Sequence, residues 1–268
     1  MSATIEPRPE DMEDILNDSL SFLGGKPVVD QEIISYGPLR LTVAAKEGKA
    51  NTLLADHLFS PSLFLAERIE RGLLPVHHKT VIELGAGCAL PSLLMSTIPE
   101  PPSLITITDY PDDGILGNLK ANIERNSSLV SSGCVVKWIG YDWGTDTSQL
   151  LSLLPMENNP GYDIVILSDL LHFHDSHDAL VVSMKLLLSK IPDSIVYISA
   201  GKYTLPHVCS NFVSKAKENG FEIEELLVPD GSEEEKWLGK MQVSGLDEEA
   251  LGVRKAACRF WVAGWKEL

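Results

Sequence analysis

The sequence predicts an α/β fold: a doubly wound sheet of seven strands, mostly parallel, with an antiparallel C-terminal strand and a small N-terminal hairpin. Three observations carry that prediction. From Thr80 to Ser199, short apolar runs alternate with segments of helical periodicity, the pattern of strand–helix–strand units that build a parallel sheet. Three of those runs, Thr80–Leu84, Asp163–Leu167 and Ile195–Ser199, are almost continuously apolar, as expected of strands covered on both faces. The first run ends in Gly85-Ala86-Gly87 and passes at once into an apolar helical pattern, the strand–turn–helix unit that opens nucleotide-binding sheets.

Taken in order, residues 1–26 carry six acids, Pro7, Pro9 and the Gly24-Gly25 pair. They read as a partly mobile acidic arm with one amphipathic helix over Met12–Phe22. Residues 27–268 then form a single domain. Ile33–Val43 alternates in short runs and suggests a hairpin or lid outside the main sheet. Pro61–Leu74 has helical periodicity, with its proline at the helix start. Further strands are expected at Leu104–Thr108, Val135–Ile139, Phe221–Val228 and Ala256–Gly264, and helices at Leu90–Ser96, Gly114–Arg125, Thr147–Leu153, Ser176–Lys190 and Pro206–Asn219. No helical crossover is evident before the last strand, so an antiparallel insertion at the sheet edge is expected. The stretch Pro229–Arg254 reads as a long acidic loop containing Glu233-Glu234-Glu235.

Composition narrows the function. With 22 basic against 38 acidic residues, the net charge is −16. That opposes binding to a phosphate backbone and favours basic or cationic substrates, although it also serves solubility. No basic-then-apolar leader is apparent and no apolar run approaches membrane-spanning length. The four cysteines, Cys88, Cys134, Cys209 and Cys258, lack a C-x-x-C pair, so reduced thiols in a cytoplasmic protein are expected, with neither a disulfide nor a zinc framework.

The glycine turn points to a nucleoside cofactor. Gly85 and Gly87 remove side chains where a backbone must approach a ligand, with Ala86 between them. Asp109 ends the next strand, where a carboxylate can accept ribose hydroxyls. A dinucleotide fingerprint needs a third glycine, but that position is Leu90. Glu83, two residues before the turn, suits a cation better than a pyrophosphate. These details favour S-adenosylmethionine over NAD.

With these residues the chain resembles the seven-stranded, Rossmann-like class I methyltransferases. More narrowly it is similar to the family 16 protein methyltransferases, and among them to the fungal group that modifies translation elongation factor 1-alpha. The matching pieces are Val81 to Ser92, Thr108-Asp109-Tyr110-Pro111-Asp112, Asp142-Trp143-Gly144 and Ile166-Leu167-Ser168-Asp169-Leu170. The resemblance implies that Glu83, Gly85 to Gly87, Asp109, Tyr110, Trp143 and Ser168 surround the cofactor. Trp143 is then an adenine wall, or else a core aromatic. Asp142 accepts the adenine amine, or else caps a turn.

Ser168 and Asp169 end a strand at the edge where open α/β sheets place catalytic groups. Asp169 is expected to orient and polarise an acceptor amine, since a lysine with a pKa of about 10.4 must lose a proton first. The family pattern there, Asp-x-x-aromatic, reads Asp169-Leu170-Leu171-His172 in this chain. His172 and His174 are candidate proton acceptors or pocket residues, or ordinary loop residues. His177 joins that cluster, but no metal-ligand spacing appears. His57 stands where the family carries a histidine near a cofactor-covering aromatic, while the family tryptophan two residues earlier is Ala55 here. His57 and Tyr203 are expected at the substrate mouth. The resulting expectation is an S-adenosylmethionine-dependent N-methyltransferase acting on a protein lysine or N-terminus, with a basic protein such as elongation factor 1-alpha as partner. The alternatives are a small-molecule amine methyltransferase, with nicotinamide or a metabolite as acceptor, and a non-catalytic scaffold.

Overall fold

A computed structural model describes residues 33–155, 161–226 and 236–266. The arm at residues 1–26 and Glu233-Glu234-Glu235 lie outside these. In chain order the elements are β1 (Ile34–Tyr36), β2 (Leu39–Leu41), α1 (Gly48–Thr52), α2 (Ser60–Glu70), β3 (Thr80–Leu84), α3 (Leu90–Thr97), β4 (Leu104–Asp109), α4 (Asp113–Asn126) and β5 (Val135–Gly140). They continue with α5 (Ser148–Leu151), β6 (Ile164–Ser168), α6 (His177–Leu187), β7 (Ile195–Gly201), α7 (Pro206–Glu218), β8 (Phe221–Glu225), α8 (Glu248–Ala256) and β9 (Cys258–Trp265).

The main sheet has seven strands in the order β5-β4-β3-β6-β7-β9-β8. The five from β5 to β7 run parallel, and β9 is antiparallel to both of its neighbours. The chain builds outward from β3 in one direction through β4 and β5, then returns to its other side with β6. That reversal opens a crevice beyond the carboxyl ends of β3, β4 and β6. β3, β4 and β6 are buried along their whole lengths. Alternate residues face opposite layers: Val81, Ile105 and Ile166 join one core with α2 and α3, while Ile82, Val165 and Leu167 join the other with α6 and α7.

Two expectations change here. The antiparallel strand β9 does not take the edge. It inserts between β7 and β8, and β8 becomes the edge strand. The stretch read as a loop contains α8. Asp247 caps that helix by accepting the Ala250 N–H at 2.8 Å. Glu248 and Glu249 occupy its first turn, Arg254 and Lys255 its last, each complementing the helix dipole. Gly252 in the middle hid this helix by weakening its propensity.

The hairpin β1–β2 is present, but it is bolted to the core rather than hinged as a lid. Tyr36, Leu39 and Leu41 are fully buried. The outer edge of β2 pairs with asparagines one helical turn apart on α4. Asn126 accepts the Arg40 N–H at 2.9 Å and donates to the Arg40 carbonyl at 2.8 Å. Asn122 does the same for Thr42, at 2.8 Å in both directions, and also donates to the Cys88 carbonyl at 3.2 Å. These amides satisfy a strand edge that would otherwise be bare.

The last helix is fixed to α2 by a buried ion pair. Lys255 Nζ lies 2.8 Å from Glu67 Oε1, and the Leu238 N–H donates to the same oxygen at 2.9 Å. Arg254, also buried, donates to the Leu58 carbonyl at 3.2 Å. The loop ahead of α2 is thereby held from below.

Asn122→Ala is expected to lower unfolding free energy by about 1–3 kcal/mol, because it strands buried backbone groups. Chemical denaturation of the two proteins checks this; equal midpoints would contradict it.

Candidate active site

The crevice at the carboxyl edge is lined by residues from five segments. They include Leu54, His57 and Phe59 ahead of α2, the turn Gly85 to Cys88, and Asp109 and Tyr110. Tyr141 to Trp143 after β5, and Ser168 to Leu170 with His172 and Phe173 after β6, complete the wall.

The glycine turn owes its shape to three left-handed residues. Gly85, Gly87 and Ala89 have φ of 57°, 55° and 61°. Gly85 is needed a second time for space: a Cβ there would come within 2.8 Å of Leu170 and 2.9 Å of Trp143. The Ala86 N–H reaches the Thr108 carbonyl at 3.0 Å, and the Gly87 N–H reaches Asp109 Oδ2 at 2.6 Å. The other oxygen of Asp109 accepts the Tyr110 N–H at 2.7 Å. Burial raises the Asp109 carboxyl to about 6, against the pull of those two N–H groups. Its remaining lone pairs face the crevice.

Glu83 lies elsewhere. It is fully buried and absent from the crevice wall. Helix α3 begins after Ala89, which has no side-chain oxygen to cap it. Glu83 supplies the cap from inside the sheet: its Oε2 accepts both the Ser92 N–H and the Ser92 hydroxyl. Burial pushes its carboxyl up to about 8. The expected direct contact with a cationic ligand is replaced here by a helix-capping contact.

Trp143 lines the crevice over Gly85 and meets Phe173 edge-on, with ring centroids 5.6 Å apart. It also packs against the second core, so it is wall and core aromatic together. Asp142 sits on the exposed rim; its carbonyl closes the turn by accepting from Thr145. The Ser168 hydroxyl lies 3.0 Å from that of Ser62, at the start of α2.

Asp169 has a left-handed backbone, φ 64°, and is 3% exposed. Such strain in a buried non-glycine residue persists only where surrounding contacts enforce it. One carboxylate oxygen accepts the Gly201 N–H at 3.2 Å and the other accepts the Tyr203 hydroxyl. Burial raises its carboxyl to about 7. Tyr203 therefore reaches the site through Asp169 rather than as part of the crevice wall. Its ring lies over Gly201, where a Cβ would fall 2.1 Å from it.

The three histidines after β6 separate. His172 lines the crevice, and burial lowers it to about 4. Among the described residues neither of its ring nitrogens completes a hydrogen bond. His174 turns outward, two-thirds exposed beside Asp175. His177 is buried and structural, held by the Leu171 carbonyl at 2.8 Å and by Asn211 at 3.0 Å. Among the described residues no group of three or more His, Cys, Asp or Glu side chains is placed to hold a metal ion. Sequence reasoning missed Ser62, Leu54, Phe59 and Tyr141. No motif marks Ser62, Leu54 and Phe59, which only the packing of α2 and the loop ahead of it brings to the crevice, whereas Tyr141 enters from the end of β5 beside Asp142 and Trp143.

Gly201→Ala is expected to displace the Tyr203 ring and cost about 1–3 kcal/mol as an overpacked site; an unchanged melting temperature would contradict this. The Asp169 carboxyl, at about 7 folded against 3.8 ordinarily, keeps a proton that the unfolded chain has lost. Its contribution to stability therefore falls as pH rises from about 4 to about 7. Asp169→Asn should remove that slope, while the similar slope from Glu83 stays in both proteins. Parallel slopes in denaturation across this window would contradict it.

Comparison with known proteins identifies the family. A family model described as lysine methyltransferase matches residues 45–219. A protein N-terminal and lysine N-methyltransferase of Yarrowia lipolytica is 37% identical over 219 residues, covering 72% of this chain and 78% of its own. The Schizosaccharomyces pombe protein of the same description is 30% identical over 181 residues, covering 66% and 69%. A solved structure from Streptococcus mutans, described as an S-adenosylmethionine-dependent methyltransferase, superposes with a TM-score of 0.51 at 12% identity. It covers 95% of this chain and 64% of its own, and shows the fold alone. No helix among the described residues is long and apolar enough to cross a membrane. The chain belongs to the lysine methyltransferase family, with the seven-stranded fold of S-adenosylmethionine-dependent enzymes.

Proposed function

We propose that the protein transfers a methyl group from S-adenosylmethionine to an amine of a protein, a lysine side chain or an N-terminus. The observation that carries this is a single crevice in which the glycine turn, Asp109, Trp143, Ser168, Asp169 and His172 share one wall. The fit to the cofactor rests on that wall's chemistry. Asp109 offers a buried carboxylate with free lone pairs for ribose hydroxyls. Gly87 has open space where a side chain would stand, so backbone can approach a ligand there. Trp143 and Phe173 supply apolar ring surface for a base.

When bound, the cofactor supplies a methyl carbon already activated by sulfonium. The chain's own part is alignment and exclusion of water. Asp169, held by Tyr203 and the Gly201 N–H, fixes the polar end of the acceptor pocket. Phe59 and Phe173 keep its sides dry. The net charge of −16 favours a basic protein partner. The relatives described as protein N-terminal and lysine N-methyltransferases point the same way, and the resemblance to the fungal group makes elongation factor 1-alpha the substrate to try first.

Incubation with methyl-labelled cofactor and fungal lysate is expected to label a discrete protein band, and purified elongation factor 1-alpha should accept the label. Label found only in small molecules would contradict the reading. Asp109→Ala should weaken S-adenosylhomocysteine binding by about 10- to 100-fold, the loss of a charge-assisted hydrogen bond. Because only the ionised carboxylate accepts two hydroxyls well, wild-type affinity should rise as pH rises through about 6. Calorimetry at several pH values reads both; a flat profile with unchanged affinity in the variant would contradict the placement.

A further inference from the structure

The acceptor must lose a proton, and the crevice wall carries five carboxylate or imidazole groups able to take one: Asp109, Asp142, Asp169, His172 and His57. Asp109 already accepts from Gly87 and Tyr110 and is placed at the ribose, and Asp142 sits on the exposed rim, which leaves Asp169, His172 and His57. Their surroundings differ. Asp169 already accepts from Gly201 and Tyr203 on its two oxygens. His172 is enclosed and has no charged partner to steady an imidazolium. The Asp169 carbonyl lies near its ring, but no hydrogen bond is completed. His57 alone has a carboxylate on one ring nitrogen. Its Nδ1 lies 2.7 Å from Asp56 Oδ1.

We propose that Asp56 and His57 form an acid–base dyad whose His57 Nε2 takes the proton from the acceptor amine. This rests on the reading of the crevice as the transfer site. A carboxylate only accepts hydrogen bonds, so Nδ1 carries the hydrogen and Nε2 presents a lone pair. Among the described residues Nε2 makes no hydrogen bond, and His57 lines the crevice. The Asp56 side chain is 3% exposed and that of His57 13%. The acid is thus sheltered, while the base remains in reach of the crevice.

The backbone around the dyad is fixed on both sides. The Ala55 N–H reaches the Ala50 carbonyl at 2.9 Å, and the Ala55 carbonyl accepts from Ala44 at 3.3 Å. On the other side buried Arg254 holds the Leu58 carbonyl. Phe59 packs against the imidazole with ring centroids 5.5 Å apart, and its far side meets Tyr203 at 6.2 Å. This arrangement is that of an oriented general base: one nitrogen held, the other free, the ring braced.

The step balances without any further reagent. His57 Nε2 takes the ammonium proton and becomes imidazolium, while the N–H electron pair stays on the amine nitrogen. That pair then forms the bond to the methyl carbon as the carbon–sulfur pair leaves with sulfur, which becomes a neutral thioether. The imidazolium returns its proton to water.

The titratable groups that share the crevice with the dyad are Cys88, Asp109, Tyr110, Tyr141, Asp142, Asp169 and His172. Burial raises Asp109 to about 6 and Asp169 to about 7, so turnover at saturating cofactor must be separated from cofactor binding at each pH. His57→Gln is expected to lower kcat by about 100-fold or more and to abolish the acid limb of its pH profile, in a protein that still folds and binds S-adenosylhomocysteine. Asp56→Asn should lower kcat less, because the ring keeps its base but loses the carboxylate that orients it. Nitrogen-15 NMR of the histidine rings gives a readout without turnover. The wild-type His57 ring should carry its hydrogen on Nδ1 at high pH, and Asp56→Asn should lose that preference. A His57→Gln enzyme that keeps the wild-type kcat and acid limb, or a wild-type ring protonated on Nε2 instead, would overturn the dyad. A wild-type protein that binds no S-adenosylhomocysteine would overturn the reading beneath it, and the dyad with it.

Discussion

The bond between the Gly87 N–H and the Asp109 carboxylate, at 2.6 Å, is the constraint on which the site depends. It ties the end of β4 to the turn after β3, across the point where the strand order reverses. The turn needs such a tie. It places three residues in the left-handed region within five positions, one of them Ala89, and a left-handed alanine costs roughly 1–2 kcal/mol. A second tie comes from below, where Asn122 binds the Cys88 carbonyl, and a third from Glu83, which caps the helix that Ala89 starts. The turn is therefore held open by the protein itself, with its backbone already spaced for a ligand. Such preorganisation lowers the cost of binding.

The other wall of the crevice is built from a segment remote in sequence. The loop from Leu53 to Phe59 lines the crevice, with Leu58 anchored in the core shared by α2 and α3. The start of that loop is fixed by α1 and Ala44, packed with Leu53 and Ala55 around Ile115 of α4. The pair Lys255–Glu67, and Arg254 on Leu58, fix where it ends. A helix near the C-terminus thus positions the residues that close the site. The buried pair Lys255–Glu67 is a specific device rather than a source of net stability, since replacing such a pair with apolar groups is often neutral whereas breaking it is costly.

The fold was largely written in local patterns. The continuous apolar runs of β3, β6 and β7 and the proline starts of α2 and α7 needed no tertiary information. The place of β9 was not readable, because insertion beside β7 depends on which neighbour buries its two faces. α8 was missed because Gly252 and a run of acids resemble a loop, although Asp247 and the charge order of the helix marked it. At the site, Asp109, Gly85 and Gly87 were readable because their residue types are dictated by backbone geometry. Glu83 was not: a sequence does not say that α3 lacks a cap of its own. His172 and His174 sit two residues apart, and only the tight turn between them sends one inward and the other to solvent. Ser62 and Phe59 carry no motif and enter the wall solely through the packing of α2.

The crystal structure of the complex with S-adenosylhomocysteine is the most direct test of this account. The predicted result places both ribose hydroxyls on Asp109 at about 2.5–2.7 Å, as for hydroxyl donors to a carboxylate, with the glycine turn unmoved and the sulfur facing the space between His57 and Asp169. A ligand bound elsewhere, or a turn that must rebuild and release Asp109 from Gly87 to admit it, would contradict the central claim.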